Sequence, residues 1–359
     1  MNRRTATLGV AAVLLAGMLI AIFWLPVPYV VLSPGPVTDT LGAVPSGEAV
    51  NGQGGGPVIR ISGVATQPTS GHLYLTTVEL NPGSCSAHPH LIDAIRAWFS
   101  SHETVEPQQV QCPPGVSSQS VRQQGVDQMT ESQNDAVYAA MRELGYKSTG
   151  NTVVVASVTS GVPAAAVIKA DDTIVKANGK RITEPQQLVN LVQAVTPGDK
   201  VALVVDRAGQ RHTYDVATET GSDGKARLGV SITSQPTWGN ITVSIGIDPN
   251  VIGGPSAGTA LALGIIDKLT PGGLTGGRTI AGTGTISKRG KVGPIGGIQQ
   301  KIAAAVEAGA TVFFAPASEC ADAKAVAPDS LTLVSVKTLD GAVQALKAIK
   351  SGSSAFPHC

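Results

Sequence analysis

Ser256 stands in DPNVIGGPSAGTALALGIIDKL, residues 248–269, where two glycines and a proline lead into small residues and then an apolar run. A serine there has two uses. It can cap the helix that the spacing predicts over Ser256 to Leu269, accepting a bond from a backbone N–H. It can instead attack a carbonyl, with free N–H groups of the loop and first turn holding the oxyanion. Capping is the commoner use, and a nucleophile also needs a base.

Six histidines are present: His72, His88, His90, His102, His212 and His358. None lies at a strand end or in a Gly-rich turn of the 226–349 region, and G-x-S-x-G is absent, so a Ser-His-Asp triad is poorly supported. His88-Pro89-His90 lacks a third ligand, so no metal site is expected. Lysine is the other option. In GPIGGIQQKIAAAVEAGA, Ile298, Ile302, Ala305 and Val306 form the buried side of a helix over Gly297 to Ala308, closed by Gly309. Lys301 flanks that stripe, whereas Lys288 and Lys291 belong to an exposed SKRGK turn. At the ordinary pKa of ~10.4, only about one lysine in a few thousand is neutral at pH 7, a handicap of ~4.6 kcal/mol. Partial desolvation would lower that handicap. On periodicity alone, the favoured reading of Lys301 is a helix lysine whose stem packs while its ammonium reaches water.

The elements that must position these residues follow from the rest of the 359 residues. After MNRR no charge occurs before Asp39, and Thr7 to Leu25 is long enough, at ~1.5 Å per residue, to cross a ~30 Å apolar layer. No small-x-small site follows the apolar stretch, so an uncleaved single-pass anchor is expected over a signal peptide. Arg3 and Arg4 place the N-terminus in the cytoplasm and everything beyond about Pro28 outside. Acids and bases nearly cancel, 25 against 26, which gives no sign of a nucleic-acid partner. Four cysteines, Cys85, Cys112, Cys320 and Cys359, form no CxxC and are disulfide candidates, with three pairings open. A Cys320–Cys359 bridge would tie down the tail.

Residues 27–56 are Pro/Gly-rich and read as a membrane-proximal linker with at most a short strand. PVIRIS and GHLYLTTVEL read as strands, and HLIDAIRAWFSS as a helix with Leu91, Ile92, Ile95, Trp98 and Phe99 as its apolar side. Residues 101–128 read as irregular. TESQNDAVYAAMRELGY reads as a helix capped by Thr130, with Gln133 completing a capping box. Residues 226–349 alternate strands (VSIGI, RTIAGTGTI, TVFFAP, LTLVSV) with helices, the pattern of an α/β domain.

SGVPAA (160–165), IKADDTIVKANGKRI (168–182) and PGDKVALVVDRAG (197–209) resemble a PDZ domain, with Asp171 in place of a usual glycine. The resemblance implies capture of an extended peptide by strand addition. The one candidate for its carboxylate-binding loop is ELGY (143–146), which runs almost directly into TVVVASV and leaves little room for the pairing strand. GGPSAGTA, TGTISKRGKVGPIGGIQQKIAAAVEAGA and FFAP resemble the proteolytic domain of the Lon family. That resemblance implies a Ser–Lys dyad of Ser256 and Lys301, with Thr283 hydrogen-bonded to the lysine. GHLYLTTVEL is similar to the family's first strand, so the PDZ-like segment is expected as an insertion. Gly253 and Thr285 replace acidic residues common in the family, which affects site electrostatics rather than the dyad. No G-x-x-x-x-G-K-[ST] occurs, so no ATP is expected.

The expected architecture is therefore α/β (α+β): a Lon-type proteolytic domain with an inserted PDZ-like domain and an N-terminal transmembrane helix. Its expected parts are an anchor (1–26), a linker (27–56), the N-terminal part of the protease domain (57–128), the PDZ-like domain (129–218), the Lon-type domain (226–349) and a tail (350–359). The expected activity is ATP-independent serine endopeptidase action on extracytoplasmic or membrane-proximal proteins, with no cofactor. Ser256 attacks, Lys301 is the base, Thr283 supports it, and the N–H groups of Gly254, Ser256 and Ala257 hold the oxyanion. Expected partners are protein or peptide substrates, membrane lipid around the anchor and, by analogy with ring-forming relatives, further copies of the chain. The alternative is a proteolytically silent envelope scaffold acting through the PDZ-like module.

Overall fold

The apolar run after Arg3 is a single helix in the computed structural model of the chain, α1 (Arg3–Trp24). By length and composition its Thr7–Trp24 stretch could cross a membrane, and none of that stretch is buried against the protein. The structure describes residues 3–48, 55–83, 85, 87–159, 161–170, 172–207, 209–221 and 223–359. The side chains of Arg3 and Arg4, on which the expected orientation rests, lie outside the described residues, as do Ser160 and Asp171 of the PDZ-like motif.

Beyond α1 come β1 (Tyr29–Asp39), β2 (Ile59–Ser62), β3 (His72–Asn81), α2 (Leu91–Trp98), β4 (Thr104–Pro107), the single turn α3 (Gln108–Gln111) and the long α4 (Ser118–Glu143). A second unit follows: β5 (Gly150–Val158), β6 (Thr173–Ala177), β7 (Lys180–Arg181), α5 (Pro185–Gln193), β8 (Lys200–Arg207), β9 (Gln210–Ala217), the hairpin β10 (Glu219–Thr220) and β11 (Ala226–Arg227), and β12 (Val230–Thr237). The chain then returns through β13 (Thr242–Ile245), α6 (Gly258–Leu269), β14 (Thr279–Gly282), β15 (Thr285–Ile286), β16 (Val292–Gly293) and α7 (Ile298–Glu307). It ends with β17 (Val312–Pro316), α8 (Cys320–Val326), β18 (Thr332–Val336) and α9 (Leu339–Lys350).

The first body is a six-stranded sheet in the order β18-β17-β14-β3-β1-β4, parallel from β18 to β3 and antiparallel at β1 and β4. Its parallel strands are covered on both faces, which is why VFFAP of β17 is apolar and buried throughout. Val312 and Phe314 point to a core shared with α4, α6 and α9, while Phe313 and Ala315 join Ile298, Ile302 and Ala305 of α7 on the other side. The second sheet, β12-β5-β6-β8-β9 with β7 beside β6, has its own core around Val153, Ile174, Leu188 and Leu203. It is inserted between α4 and β13 of the first body.

Four sequence expectations change here. Residues 27–56 are not simply a linker, because β1 supplies an interior strand with Val30, Val31 and Leu32 buried. Its prolines are tolerated because the ladder to β3 shifts register between Pro34 and Val37. Residues 118–128 are helical rather than irregular. Ser117 caps α4 by accepting from Ser120 N–H at 3.1 Å, and Thr130 lies inside the helix, donating to the Val126 carbonyl at 2.9 Å. The strand Val230–Thr237 joins the PDZ-like sheet through β5, although 226–349 was expected to be Lon-type throughout. α2 turns its alanines inward, not its large apolar side. The cysteines pair as Cys85–Cys112 and Cys320–Cys359, and the second bond holds the tail along β18, where Ser335 N–H reaches the Pro357 carbonyl.

Candidate active site

The loop into α6 places Ser256 ahead of the helix, not in it. Gly254 adopts φ +90, Pro255 has no N–H to offer, and the first helical residue is Gly258. Ala257 occupies the cap position, with no side-chain cap bond. Among the described residues the Ser256 hydroxyl makes no hydrogen bond, so it is not the cap that the spacing first suggests.

Two elements grip the loop. From α4, the Gly125 carbonyl accepts the Gly254 N–H at 2.8 Å, Ser132 Oγ donates to the Pro255 carbonyl at 2.9 Å, and Gln133 Nε2 donates to the Ile247 carbonyl at 3.0 Å. The contact is close: a Cβ on Gly253 would meet the Gly125 carbonyl carbon at 3.3 Å, so a side chain there would press on α4. From the β14–β15 turn, the Ser256 carbonyl accepts both Gly284 N–H at 3.0 Å and Thr283 Oγ1–H at 3.2 Å. Thr283 is fully buried, and its expected bond to Lys301 is not made; its hydroxyl is spent on the serine's carbonyl. Gly254 is also corrected as an oxyanion donor, since its N–H already serves Gly125. The amides of Ser256 and Ala257 make no hydrogen bond among the described residues.

Lys301 lies on the first turn of α7, whose entry is fixed by Gly297 at φ +67; a Cβ there would come within 2.6 Å of Val78 Cγ2. Ile298, Ile302 and Ala305 pack inward, and Lys301 between them is only 3% exposed. Burial lowers its pKa to about 8, and the charge of Glu319 opposes the shift. At pH 7 about one molecule in ten then carries a neutral lysine, against one in a few thousand for an ordinary one. Glu319, which the sequence reading did not single out, accepts Ile295 N–H at 2.7 Å through Oε1, and its Oε2 is buried with no hydrogen-bond partner among the described residues. Burial raises its carboxyl above the usual range, although the Ile295 bond and Lys301 pull the other way.

Ser256 and Lys301 line one cavity of about 510 Å³, together with Thr76 to Leu80 of β3, Met129 of α4 and Gly296–Gly297. No histidine contributes to that wall. Thr285 borders a separate cavity with Asp135.

A second cavity, of about 490 Å³, runs between α5 and β12. ELGY is not its loop: Gly145 and Tyr146 end α4, their N–H groups reaching the Arg142 and Met141 carbonyls at 2.9 Å each in a Schellman arrangement. The turn RLGV (227–230) instead leads into β12, an edge strand of its sheet, beside Leu188 and Val192. Among the described residues the amides of Leu228 and Gly229 make no hydrogen bond. The strand missed in the sequence is therefore the last one of the unit, not its first.

Residues 240–349 match the Lon protease (S16) C-terminal proteolytic domain, and residues 127–218 match the PDZ domain family. The chain carries a Lon-type proteolytic domain. Lon protease of Rickettsia felis is 39% identical over 90 residues, 24% of this chain and 11% of that protein. Lon protease of Phenylobacterium zucineum is 31% identical over 160 residues, 42% of this chain and 19% of that protein. The chain thus spans well under a quarter of the length of these two relatives. The PDZ domain of an SdrC-like protein from Listeria monocytogenes is 25% identical, covering 24% of this chain and 93% of that one, with a TM-score of 0.23. The Lon-type match supports a protease function, and the PDZ match a protein- or peptide-binding one.

Proposed function

We propose that the chain is a membrane-anchored serine endopeptidase in which Ser256 and Lys301 act as a dyad. The observation that carries the reading is a serine whose hydroxyl makes no hydrogen bond among the described residues, sharing a cavity with a lysine whose pKa is lowered to about 8 by burial. Neutral Lys301 Nζ takes the Ser256 proton as Oγ attacks the scissile carbonyl. The N–H groups of Ser256 and Ala257 hold the oxyanion, and Thr283 steadies them through the Ser256 carbonyl. The ammonium then protonates the leaving amine. Lys301 next takes a proton from water as the water oxygen attacks the acyl-enzyme carbonyl, and returns that proton to Ser256 Oγ as the ester bond breaks.

α1 anchors the chain with its N-terminus in the cytoplasm, and two disulfides suit a catalytic domain on the oxidising side. The 359 residues contain no phosphate-binding G-x-x-x-x-G-K-[ST], so cleavage proceeds without ATP on extended or unfolded segments. The α5–β12 groove pairs such a segment with the edge of β12, and copies of the chain assemble as Lon relatives do. The test is cleavage of reduced, alkylated casein without ATP by the full chain and by Ser256→Ala and Lys301→Ala. Each substitution should cost about 1,000-fold or more in kcat/KM. Equal rates in all three would overturn the dyad, and no cleavage by any of them would favour a silent scaffold.

A further inference from the structure

α2 is inverted for a helix on a water-soluble surface. Its buried residues are Ala94 and Ala97, whereas Leu91, Ile92 and Ile95 are half-exposed and Trp98 and Phe99 are 65% and 88% exposed. Residues 91, 95 and 98, and likewise 92, 95 and 99, recur at helical spacing, so the exposed Trp98 and Phe99 continue one apolar face with the half-buried Leu91, Ile92 and Ile95.

The course of the chain indicates what covers that face. Leu91 N–H donates to the Leu25 carbonyl at 2.9 Å, Val27 N–H donates to the Pro89 carbonyl at 3.0 Å, and Pro26 bridges to His90. The start of α2 is thereby fastened one residue beyond the end of α1. The 18 residues Thr7–Trp24, at ~1.5 Å each, extend ~27 Å, so the hydrocarbon layer ends near Trp24. α2 therefore begins at the water–lipid boundary, where tryptophan and aromatic side chains are favoured. Arg96 on the same helix lies 3.8 Å from Glu103 and is still 77% exposed, at the height of headgroup phosphates.

We infer that the Leu91–Phe99 face rests in the outer headgroup region of the bilayer, as a second, peripheral attachment to lipid. The inference depends on the proposed spanning role of α1. It also bears on catalysis. Tyr29–Leu32 of β1 pair with Thr104–Pro107 of β4, and Leu32 and Glu106 of that ladder line the cavity of Ser256 and Lys301. Two lipid contacts would hold the cavity at a fixed height and favour substrate segments close to the membrane.

The test uses the full chain in phosphatidylcholine vesicles, brominated or not, with Trp24→Phe and Trp98→Phe variants. Trp238, 5% exposed, stays in both as an internal reference. The Trp24→Phe chain should lose about half its emission in brominated lipid, because one of its two tryptophans touches the bilayer. If it is unquenched while the Trp98→Phe chain is quenched through Trp24, α1 spans and the α2 contact is overturned, a covering second copy of the chain included. If neither variant is quenched, the span and the α2 contact fail together. Quenching through Trp98 alone would uphold the α2 contact and contradict the span.

Discussion

α7 and α2 are short helices that break the same rule in opposite directions. α7 buries a charge, Lys301, at 3% exposure among Ile298, Ile302 and Ala305; α2 buries two alanines and exposes Trp98 and Phe99. A sequence pattern treats both as amphipathic helices: it faces α7 correctly, with Ile298, Ile302 and Ala305 inward, but leaves Lys301 at the border of that stripe, and it faces α2 the other way. The lysine is held where its ammonium is disfavoured, and the aromatics are left where water disfavours them. Each misplacement is a cost to the isolated fold, and each coincides with a proposed function, proton transfer in one case and lipid contact in the other.

The comparison breaks most visibly at Lys301. Lys301→Met should lower kcat/KM by about 1,000-fold or more and yet raise stability at pH 7. The folded lysine loses its proton at about 8, the unfolded one near 10.4. Between those values the unfolded chain binds more protons, so native stability rises with pH as the buried ammonium discharges. The advantage of methionine, on the order of 3 kcal/mol at pH 7, should therefore shrink above pH 8 in urea melts. A variant that is less stable at pH 7 would contradict the burial argument. Glu319→Gln should have the next largest effect. Without the carboxylate that supports the ammonium, the rising limb of the pH–rate profile moves below 8, while the amide oxygen can still accept Ile295 N–H. A limb moving upward, or not at all, would remove Glu319 from the account.

Thr283→Val deletes the hydroxyl that holds the Ser256 carbonyl and should reduce kcat about 5- to 30-fold with KM little changed, a loss of ~1–2 kcal/mol. Smallest is the stability effect of Trp98→Ser with Phe99→Ser. Exposed as they are, their loss should change the unfolding free energy from urea melts by no more than about 0.5 kcal/mol per site, and a larger change would mean that they pack against the protein.

Ser256 and Lys301, the proposed dyad, stand out in the sequence because their surroundings are local: glycines and proline before one, an apolar stripe and Gly297 around the other. Residues 118–128 do not, since SQSVRQQGVDQ has hardly any apolar stripe and its helix is stabilised by packing on α6, 130 residues away in sequence. Ser132 and Glu319 act on the site only through the tertiary fold, so neither could be singled out beforehand. The composition of ELGY points to a PDZ-like groove at the start of the unit. That tetrapeptide is a helix stop, and the edge strand comes from RLGV at the other end.

The central claim is that Lys301 activates Ser256, and covalent labelling by a peptidyl β-lactone tests it most directly. The full chain should be acylated at Ser256 with a rate that rises tenfold per pH unit and levels off at about 8, while Lys301→Met is not labelled over the same range. Labelling of Lys301→Met at the unsubstituted rate, or acylation at another serine, would contradict the account.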